Sequence, residues 1–149
     1  MKSETALNAA GYIITQCLKK DFEIHNQKLN CLLYFSQSWF LLLSKGATPC
    51  FDDSIEAWCF GPVVPVVYNK YARYGSLEIP GPIQYQKPTD KIFTDNLDTV
   101  IDYYGNYAGY QLFDIIKHQD PYKKAIIEGR EFRGRVISNA SITSFFVNE

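Results

Sequence analysis

The sequence lacks a surplus of charge of either sign, and this argues against one broad class of protein. Its 149 residues carry 15 Lys and Arg against 16 Asp and Glu, so the formal net charge at pH 7 is −1. A dedicated nucleic-acid-binding domain usually carries a clear basic excess. The near balance of charge therefore disfavours nucleic-acid binding as the main role of this chain.

Hydrophobic runs of membrane length are also missing. The most apolar stretch covers residues 31–43, and Ser36, Gln37 and Ser38 interrupt it. A helix that crosses a bilayer needs about 20 predominantly apolar residues. The first four residues lead into an amphipathic pattern rather than into the apolar block of a signal peptide. We therefore expect a cytoplasmic protein that makes no contact with membranes.

Motifs for metal ions, cofactors and catalysis are absent as well. The cysteines form no C-x-x-C pair, and together with His25 and His118 they lack the spacing of zinc ligands. The nine glycines are scattered, and none precedes a Lys-Ser or Lys-Thr pair that would mark a phosphate-binding loop. Neither histidine belongs to a recognisable catalytic motif. We expect no metal, no cofactor and no enzymatic activity.

The cysteines are interpreted as free thiols rather than as a disulfide framework. A chain of this length can bury about two-thirds of its unfolded surface, so its core needs no cross-link. Disulfides are also rare in cytosolic proteins. We expect reduced, buried thiols at all four positions, which are Cys17, Cys31, Cys50 and Cys59.

Aromatic residues, by contrast, are plentiful at 15% of the chain, with 11 Tyr and 10 Phe. Tyrosine is enriched at protein interfaces because it buries a large ring and keeps a polar tip. Five phenylalanines fall on apolar helix stripes and are interpreted as core: Phe35, Phe40, Phe113, Phe145 and Phe146. The composition thus favours a globular protein that binds other proteins.

Two tyrosine-rich segments are the candidates for an exposed surface. Tyr68, Tyr71 and Tyr74 are three residues apart, so they drift around a helix and cannot all face the core. The segment 102–110 contains Tyr103, Tyr104, Tyr107 and Tyr110, which cannot all point inward from a short turn. We expect a partner protein to contact part of these rows, with Tyr68, Tyr71, Tyr74, Tyr107 and Tyr110 as candidates.

Hydrophobic periodicity predicts a mainly α, compact single domain that covers residues 1–149. It has six to seven helices and a minor short β element near Ile55–Phe60. The helix at about 26–45 is apolar around most of its circumference, which is typical of a central, buried helix. Gly61 and Pro62 are expected to turn the chain, and Pro62 or Pro65 to open the following helix.

Local signals place the ends of the remaining elements. Residues 76–93 are predicted to be a loop or an edge segment, and 130–137 to be extended. The predicted helix starts are Ser3 for the first helix, His25 or Asn26 for the second, Thr94 for the fourth, Asp120 with Pro121 for the sixth, and Ser138 or Asn139 for the last. The sixth helix is predicted to run from Pro121 to Glu128 and to be closed by Gly129.

Charge is unevenly distributed along the second half of the chain. Residues 87–116 carry a net charge of −3, whereas Lys117–Arg135 carry +3. The basic segment could touch nucleic acid or an acidic partner. A solvated helix face beside a loop is the favoured interpretation, and surfaces with two signs suit steering toward a charged protein.

Several segments together resemble a known family. They are 29–35 (LNCLLYF), Phe51-Asp52, 55–58 (IEAW), 61–68 (GPVVPVVY) and Tyr74-Gly75, followed by Leu112, His118, Pro121 and 142–146. The specific part is Ala-Trp-x-x-Gly-Pro-Val-Val-Pro at 57–65. These residues resemble the Panacea domain family of SocA-like antitoxins, which includes phage-associated GepA-like proteins, and the match runs in order along nearly the whole chain.

The resemblance implies a compact, mostly helical domain that binds and neutralises a toxin protein. It marks Trp58, Gly61, Pro62, Val63, Tyr68, His118 and Pro121 as family-signature positions. Three positions depart from the family pattern: Cys31 replaces a common Lys, Lys117 a common Thr and Tyr122 a usual Trp. Trp58 and Tyr68 are expected to pack the joint between the strand and the next helix.

Three functions follow from these observations. The first is an antitoxin that neutralises a cognate toxin by direct contact, in a toxin–antitoxin pair that is phage- or prophage-linked. The second is a proteolytic adaptor that delivers the toxin to an ATP-dependent protease. The third is a nucleic-acid-associated regulator that uses the basic segment Lys117–Arg135. The family resemblance, the near-neutral charge and the tyrosine surplus favour the first.

Overall fold

A long central helix, α2 (Asn26–Ser44), organises the structure. The computed structural model describes residues 4–126 and 133–147. Most residues of α2 are buried all around the helix, as its apolar circumference predicts. The helix contacts five of the other helices and one strand of the sheet. The predicted role of α2 as the buried centre of the domain is confirmed.

Within the described residues the fold has seven α-helices and three strands. The helices are α1 (Ala6–Lys19), α2, α3 (Pro65–Tyr71), α4 (Lys91–Tyr104), α5 (Gly109–Ile116), α6 (Asp120–Ala125) and α7 (Asn139–Val147). A 3-10 turn, Ala72–Tyr74, extends α3. The strands are β1 (Ile55–Trp58), β2 (Gly61–Val63) and β3 (Arg133–Ile137). The predicted mainly α fold with a small β element is confirmed.

The three strands form one antiparallel sheet in the order β2-β1-β3. Strands β1 and β2 are a hairpin in which Trp58 lies opposite Gly61. Ile55 of β1 pairs with Ile137 of β3. The sequence indicated an extended segment at 130–137, of which residues 130–132 lie outside the described residues. Its pairing with β1 was not predicted, because the partner strand is about 80 residues away along the chain.

The prediction that Gly61 and Pro62 turn the chain is wrong. Both residues lie within β2, and the turn of the hairpin falls on Cys59 and Phe60. A three-residue strand at the edge of a sheet tolerates proline, which lacks a backbone donor. Pro65 therefore opens α3 in place of Pro62, with its fixed φ at the first position of the helix.

Two predicted helix starts differ from the structure. Helix α1 is capped by Thr5, whose side chain accepts a hydrogen bond from the Asn8 amide at 3.1 Å, whereas Ser3 lies outside the described residues. Helix α4 is capped by Asp90, which accepts from the Ile92 amide at 2.9 Å. Thr94 lies inside that helix instead. Thr5 and Asp90 are both favourable N-cap residues. Ser3 and Thr94 are residue types that can also cap a helix, and because they were predicted to be the caps, both helix starts were misplaced.

The sixth helix is shorter than predicted and starts one residue earlier. Helix α6 has Gln119 at the N-cap, and Asp120 and Pro121 are its first residues, so Asp120 is not the cap. An acidic residue in the first turn interacts favourably with the helix dipole. The helix ends at Ala125 because Ile126 adopts an extended conformation. The predicted end at Glu128 and Gly129 lies outside the described residues.

The last helix begins as the sequence indicates. The Ser138 hydroxyl accepts a hydrogen bond from the Ser141 amide at 3.0 Å, so Ser138 caps α7. The second helix also starts where predicted, with His25 as its N-cap. Local capping chemistry thus predicted where these two helices begin.

The apolar core lies between α2 and the surrounding helices. Phe35 and Phe40 are buried in it as predicted. The other three phenylalanines assigned to the core, Phe113, Phe145 and Phe146, are only half-buried. Among the described residues, no helix is both long and apolar enough to cross a membrane.

Three of the four cysteines are buried as free thiols, at Cys17, Cys31 and Cys50. Cys59 is also free but lies exposed at the tip of the hairpin, so the expectation of four buried thiols is wrong at this position. Burial raises the pKa of the Cys31 thiol from its ordinary 9.0 to about 12. Cys59 faces solvent because it lies in the turn of the hairpin, and turns run over the protein surface.

The buried Cys31 thiol predicts a loss of stability in alkaline solution. Its pKa is higher in the folded than in the unfolded chain, so stability is fully present below pH 9.0 and falls as pH rises toward about 12. The thiol therefore contributes to a fall in the free energy of unfolding across that window. Urea unfolding at several pH values measures it. Cys31→Ala should show a shallower dependence than the unchanged chain, and equal slopes would contradict the assignment.

Gly61 has φ +138°, a conformation that residues with a Cβ rarely adopt. The substitution Gly61→Ala is therefore expected to lower the free energy of unfolding by roughly 1–3 kcal/mol. A Cβ at this position meets only ordinary contacts, so backbone strain is the cause. Denaturant unfolding measures the loss. Cys59→Ala, at the exposed tip of the same hairpin, is the control and should change stability by less than about 0.5 kcal/mol.

Candidate partner-binding surface

Buried amide side chains of α2 hold the hairpin and the start of α3 in place. The Asn30 side-chain oxygen accepts a hydrogen bond from the Val64 amide at 2.8 Å. The Asn26 side-chain nitrogen donates to the Tyr68 carbonyl at 3.0 Å. The Asn26 side-chain oxygen accepts a hydrogen bond from the Asn30 side chain, also at 3.0 Å. Both asparagines are almost fully buried. Buried polar groups are stable only when paired, so these bonds fix one position of α3 against α2.

A third amide, Gln37, does the same for the loop after α2. Its side-chain oxygen accepts from the amides of Cys50 at 2.8 Å and Phe51 at 3.2 Å. Its side-chain nitrogen donates to the Phe51 carbonyl at 2.9 Å and to the Asn139 side chain at 3.2 Å. The loop that leads into β1 and the start of α7 are therefore both tied to the central helix.

The family-signature residues of the hairpin are mainly structural in their contacts. Trp58 is buried, and its ring meets the Tyr68 ring edge-on at 5.0 Å, which confirms that these two side chains pack the joint. The Trp58 indole nitrogen donates to a Glu56 carboxylate oxygen at 2.9 Å. The Tyr122 hydroxyl donates to the Trp58 carbonyl. Tyrosine at 122 thus links α6 to the hairpin.

The remaining family-signature positions include both buried and exposed residues. Gly61, Pro62 and Val63 are buried in β2, and Pro121 is buried at the start of α6. His118 is exposed in the turn after α5. Their part in partner binding stays a prediction, and their positions show which of them a partner could reach.

The two histidines occupy helix ends, as the sequence indicates. The Nδ1 atom of His25 accepts a hydrogen bond from the Lys28 amide at 3.4 Å at the start of α2. Burial, together with the nearby Lys28 ammonium, lowers the pKa of His25. The neutral ring can accept this bond. His118 follows the last turn of α5.

The first tyrosine row, on α3, faces largely inward. Tyr71 is buried, whereas Tyr68 and Tyr74 are half-buried. The buried Tyr71 hydroxyl has no hydrogen-bond partner among the described residues. Burying a hydroxyl without a partner carries a desolvation cost. This row therefore contributes more to packing than to an accessible surface.

Tyr71→Phe is expected to raise the free energy of unfolding by about 1 kcal/mol, because it removes an unsatisfied buried hydroxyl. Tyr34→Phe is the matched control. Tyr34 is also fully buried, but its hydroxyl donates to the Gln119 side chain at 2.7 Å, so its removal should lower stability by about 1 kcal/mol. Denaturant unfolding of both variants checks the opposite signs. A loss in Tyr71→Phe would show that the hydroxyl has a stabilising partner.

The second tyrosine row forms an accessible surface at the end of α4. Tyr103 is 71% exposed and Tyr107 43% exposed. Between them, Tyr104 stacks on Phe35 of α2, with ring centroids 4.0 Å apart and planes 11° from parallel. The Tyr104 ring lies 4.8 Å from Tyr103 and 6.5 Å from Tyr107. We call Tyr103, Tyr104 and Tyr107 the tyrosine surface. Tyr110 on α5 is also exposed, at 72%.

An apolar groove continues from the tyrosine surface. It has a volume of about 360 Å³ and lies between α2, α4 and α7. Its lining is Phe35, Ser38, Trp39, Leu42, Thr99, Val100, Tyr103, Tyr104 and Phe146. We call it the α2–α4 groove. Sequence reasoning missed it, because its walls come from three helices and each wall alone resembles an ordinary apolar stripe.

A buried lysine fixes the backbone that follows the tyrosine surface. The Lys28 ammonium donates to the Gly105 carbonyl at 2.6 Å and to the Glu23 carbonyl. Gly105 is the C-cap of α4, where the helix dipole favours a cation. Burial lowers the pKa of Lys28. This contact ties the end of α4 to the start of α2 and limits how far Tyr104 and Tyr107 can move.

The described part of the basic segment lies on the surface. Lys117, Lys123, Lys124 and Arg135 are exposed, and Lys117 forms an ion pair with Asp114 at 3.1 Å. Arg130 and the side chain of Arg133 lie outside the described residues. Over the described ranges, no group of three His, Cys, Asp or Glu side chains is placed to hold a metal ion.

The fold and this surface define a small, mainly α-helical domain with a hairpin tied to its central helix and exposed tyrosines beside an apolar groove. The model of the family "Antitoxin SocA-like, Panacea domain" matches residues 29–123. The chain therefore belongs to the SocA-like antitoxin family. The matched segment contains α2 from Leu29 onward, the hairpin, α4 and the tyrosine surface.

A curated relative lies in the same family. The chain is 38% identical over 74 residues to Antitoxin SocA of Caulobacter vibrioides (strain NA1000 / CB15N). The alignment covers 50% of this chain and 38% of the relative, so well under half of the relative's length is represented. No solved structure matches the chain.

Proposed function

We propose that this chain is an antitoxin that acts without enzymatic activity. In this proposal residues 1–149 form a single Panacea-like domain, which neutralises a cognate toxin by direct contact in the cytoplasm. The toxin and antitoxin form a phage- or prophage-linked pair. Membership of the SocA-like antitoxin family supports the role, and the structure of the tyrosine surface supports direct contact as the means.

The observation that carries the proposal is the exposure of Tyr103 beside the α2–α4 groove. Tyr103 is 71% exposed and lines an apolar groove, and exposed apolar surface that is contiguous in this way marks protein interaction sites. Tyrosine is among the residue types that contribute most to the binding energy of protein interfaces, because its ring provides a large contact area. The stacking of Tyr104 on Phe35 makes the patch rigid, so little entropy is lost on binding.

Co-expression with the product of the neighbouring open reading frame tests the antitoxin role. Growth should be restored when this chain is present, and calorimetry with the purified proteins should show binding. Tyr103→Ala should weaken binding at least about tenfold, because it removes an exposed aromatic side chain at the proposed centre of contact. A neighbour that is not toxic, or a toxin that does not bind, would contradict the proposal.

Ile92→Ala is the matched control for Tyr103→Ala. Ile92 lies on the same helix, is 62% exposed and is about 16 Å away along the helix axis. Its truncation should leave toxin binding within about twofold. Equal losses in the two variants would show that the tyrosine surface is not the centre of contact.

The lifetime of the toxin in cells separates blocking from delivery to a protease. Direct neutralisation predicts an unchanged or longer toxin half-life when this chain is present. A half-life that becomes shorter, and that depends on an ATP-dependent protease, would instead make the chain a proteolytic adaptor.

A further inference from the structure

The turn that connects α4 to α5 packs against the corner between α1 and α2. This α4–α5 turn covers residues 105–108 and carries Tyr107 of the tyrosine surface. The corner covers residues 20–25, and Lys28 lies in the first turn of α2 directly after it. The Lys28 ammonium donates to the Gly105 carbonyl at 2.6 Å, and a Cβ atom on this glycine would lie 2.8 Å from the Phe22 ring. The start of the turn is thus fixed against the corner.

His25 fixes the other end of the same turn. Gly109 is the first residue of α5, and a Cβ atom there would lie 2.7 Å from the His25 Cε1 atom and 3.1 Å from its Nε2 atom. The backbone of α5 therefore contacts the imidazole ring directly. Tyr107 lies between these two contacts, and its amide donates to the Tyr104 carbonyl at 3.1 Å. The position of Tyr107 thus depends on Lys28 at one end of the turn and on His25 at the other.

The contacts of the His25 ring require its neutral form. Its Nδ1 atom accepts a hydrogen bond from the Lys28 amide as the N-cap of α2, so the ring hydrogen is on Nε2. A protonated ring carries a hydrogen on both nitrogens and could not accept this bond. Protonation would therefore remove the cap of α2 and place two donors against each other.

The charged groups around His25 act in both directions. The N-terminal end of α5, where the helix dipole is positive, lies against the ring. Glu23 of the corner and Glu78, whose backbone pairs with that of His25, favour the charged ring, but both are exposed. Burial and the Lys28 ammonium outweigh them and hold the pKa of His25 below its usual 6.5. The ring is therefore neutral near pH 7 and takes up a proton only in more acidic solution.

We propose that neutral His25 is a positioning residue of the tyrosine surface, and that its protonation frees the α4–α5 turn and weakens partner binding. A charged ring moves away from Gly109 and from the Lys28 amide, so the turn loses one of its two contacts with the corner. Tyr107 moves with the turn, whereas Tyr104 stays stacked on Phe35. Only the effect on the toxin rests on the proposed function.

An NMR titration of the whole chain from about pH 8 to about pH 5 follows His25 and the turn together. The Cε1–H resonance of His25 reports protonation, and amide protection factors, corrected for intrinsic exchange, report the order of the turn. The folded chain binds this proton more weakly than the unfolded chain, so stability falls as the pH drops below 6.5. We expect protection of the Tyr107 amide to fall at least about threefold, at the midpoint at which His25 titrates.

Amides at the centre of α2, such as that of Leu33, should stay protected over the same range, because the opening is local. Two results would overturn the inference. One is a turn that keeps its protection when His25 is charged. The other is an equal loss of protection in α2, which would mark unfolding of the whole domain.

The chain has two histidines, so substitutions can assign the transition. His25→Asn keeps a side chain that caps a helix well and does not titrate, so the acidic transition of the turn should disappear. His118→Asn is the matched control. His118 is exposed in the turn after α5, away from the corner, and its substitution should leave the transition unchanged. A transition that persists in His25→Asn, or that vanishes in His118→Asn, would contradict the role of His25.

Gly109→Ala tests the contact without any titration. Its methyl group would meet the His25 ring, so protection of the Tyr107 amide should already be at least about threefold lower near pH 7. The amides at the centre of α2 again show whether the domain stays folded. Unchanged protection of Tyr107 in this variant would show that the ring does not hold the turn.

Toxin binding separates this inference from the proposed function. Calorimetry at about pH 7.5 and about pH 5.5 gives the ratio of the two dissociation constants, which should be at least about threefold larger for the unchanged chain than for His25→Asn. Titration of the toxin itself affects both chains equally. If the toxin binds and Tyr103→Ala weakens it, but the two ratios are equal, the antitoxin role stands and the inference fails. If the turn responds to His25 while the neighbouring protein neither binds nor is toxic, the positioning by His25 stands and the proposed function fails.

Discussion

The structure depends on the hydrogen bonds that α2 makes through its buried amide side chains. Asn26 and Asn30 pair with backbone groups of α3 and of its N-cap Val64, and Gln37 pairs with the loop that leads into β1. Each amide would be costly to bury without a partner, so these hydrogen bonds favour the one arrangement in which all three amides are paired. They align the start of α3 and the loop before β1 with one helix and specify a single arrangement of these segments.

This arrangement separates a structural face from an accessible one. On one side of α2, the hairpin with Trp58 and Tyr68 is packed and tied down, so the most specific motif of the family mainly preserves the fold. On another side, Tyr104 stacks on Phe35 and Lys28 fixes the end of α4. Tyr103 is held there in an exposed position. The fold thereby forms an aromatic surface that is held rigid because its residues pack against the core.

The sequence predicted the helices well and the contacts between distant segments poorly. The apolar circumference of α2 and the caps His25 and Ser138 are local signals, and local signals decide where a helix begins. The strand pairing of Ile55 with Ile137 has no local signature, and the Gly61-Pro62 pair resembled a turn although it lies in a strand. Among the tyrosines, the sequence indicated that some are exposed. It could not say that Tyr71 is buried and Tyr103 is not.

By itself the sequence determined the class of fold, the buried central helix and the family signature at 57–65, because these follow from residue type and from spacing along one segment. Only the tertiary structure decided that β3 completes the sheet, that α2, α4 and α7 enclose a groove, and that Tyr103 lines this groove in an exposed position. These features arise where separate segments meet. Their geometry depends on packing across the whole chain, which no single stretch of sequence encodes.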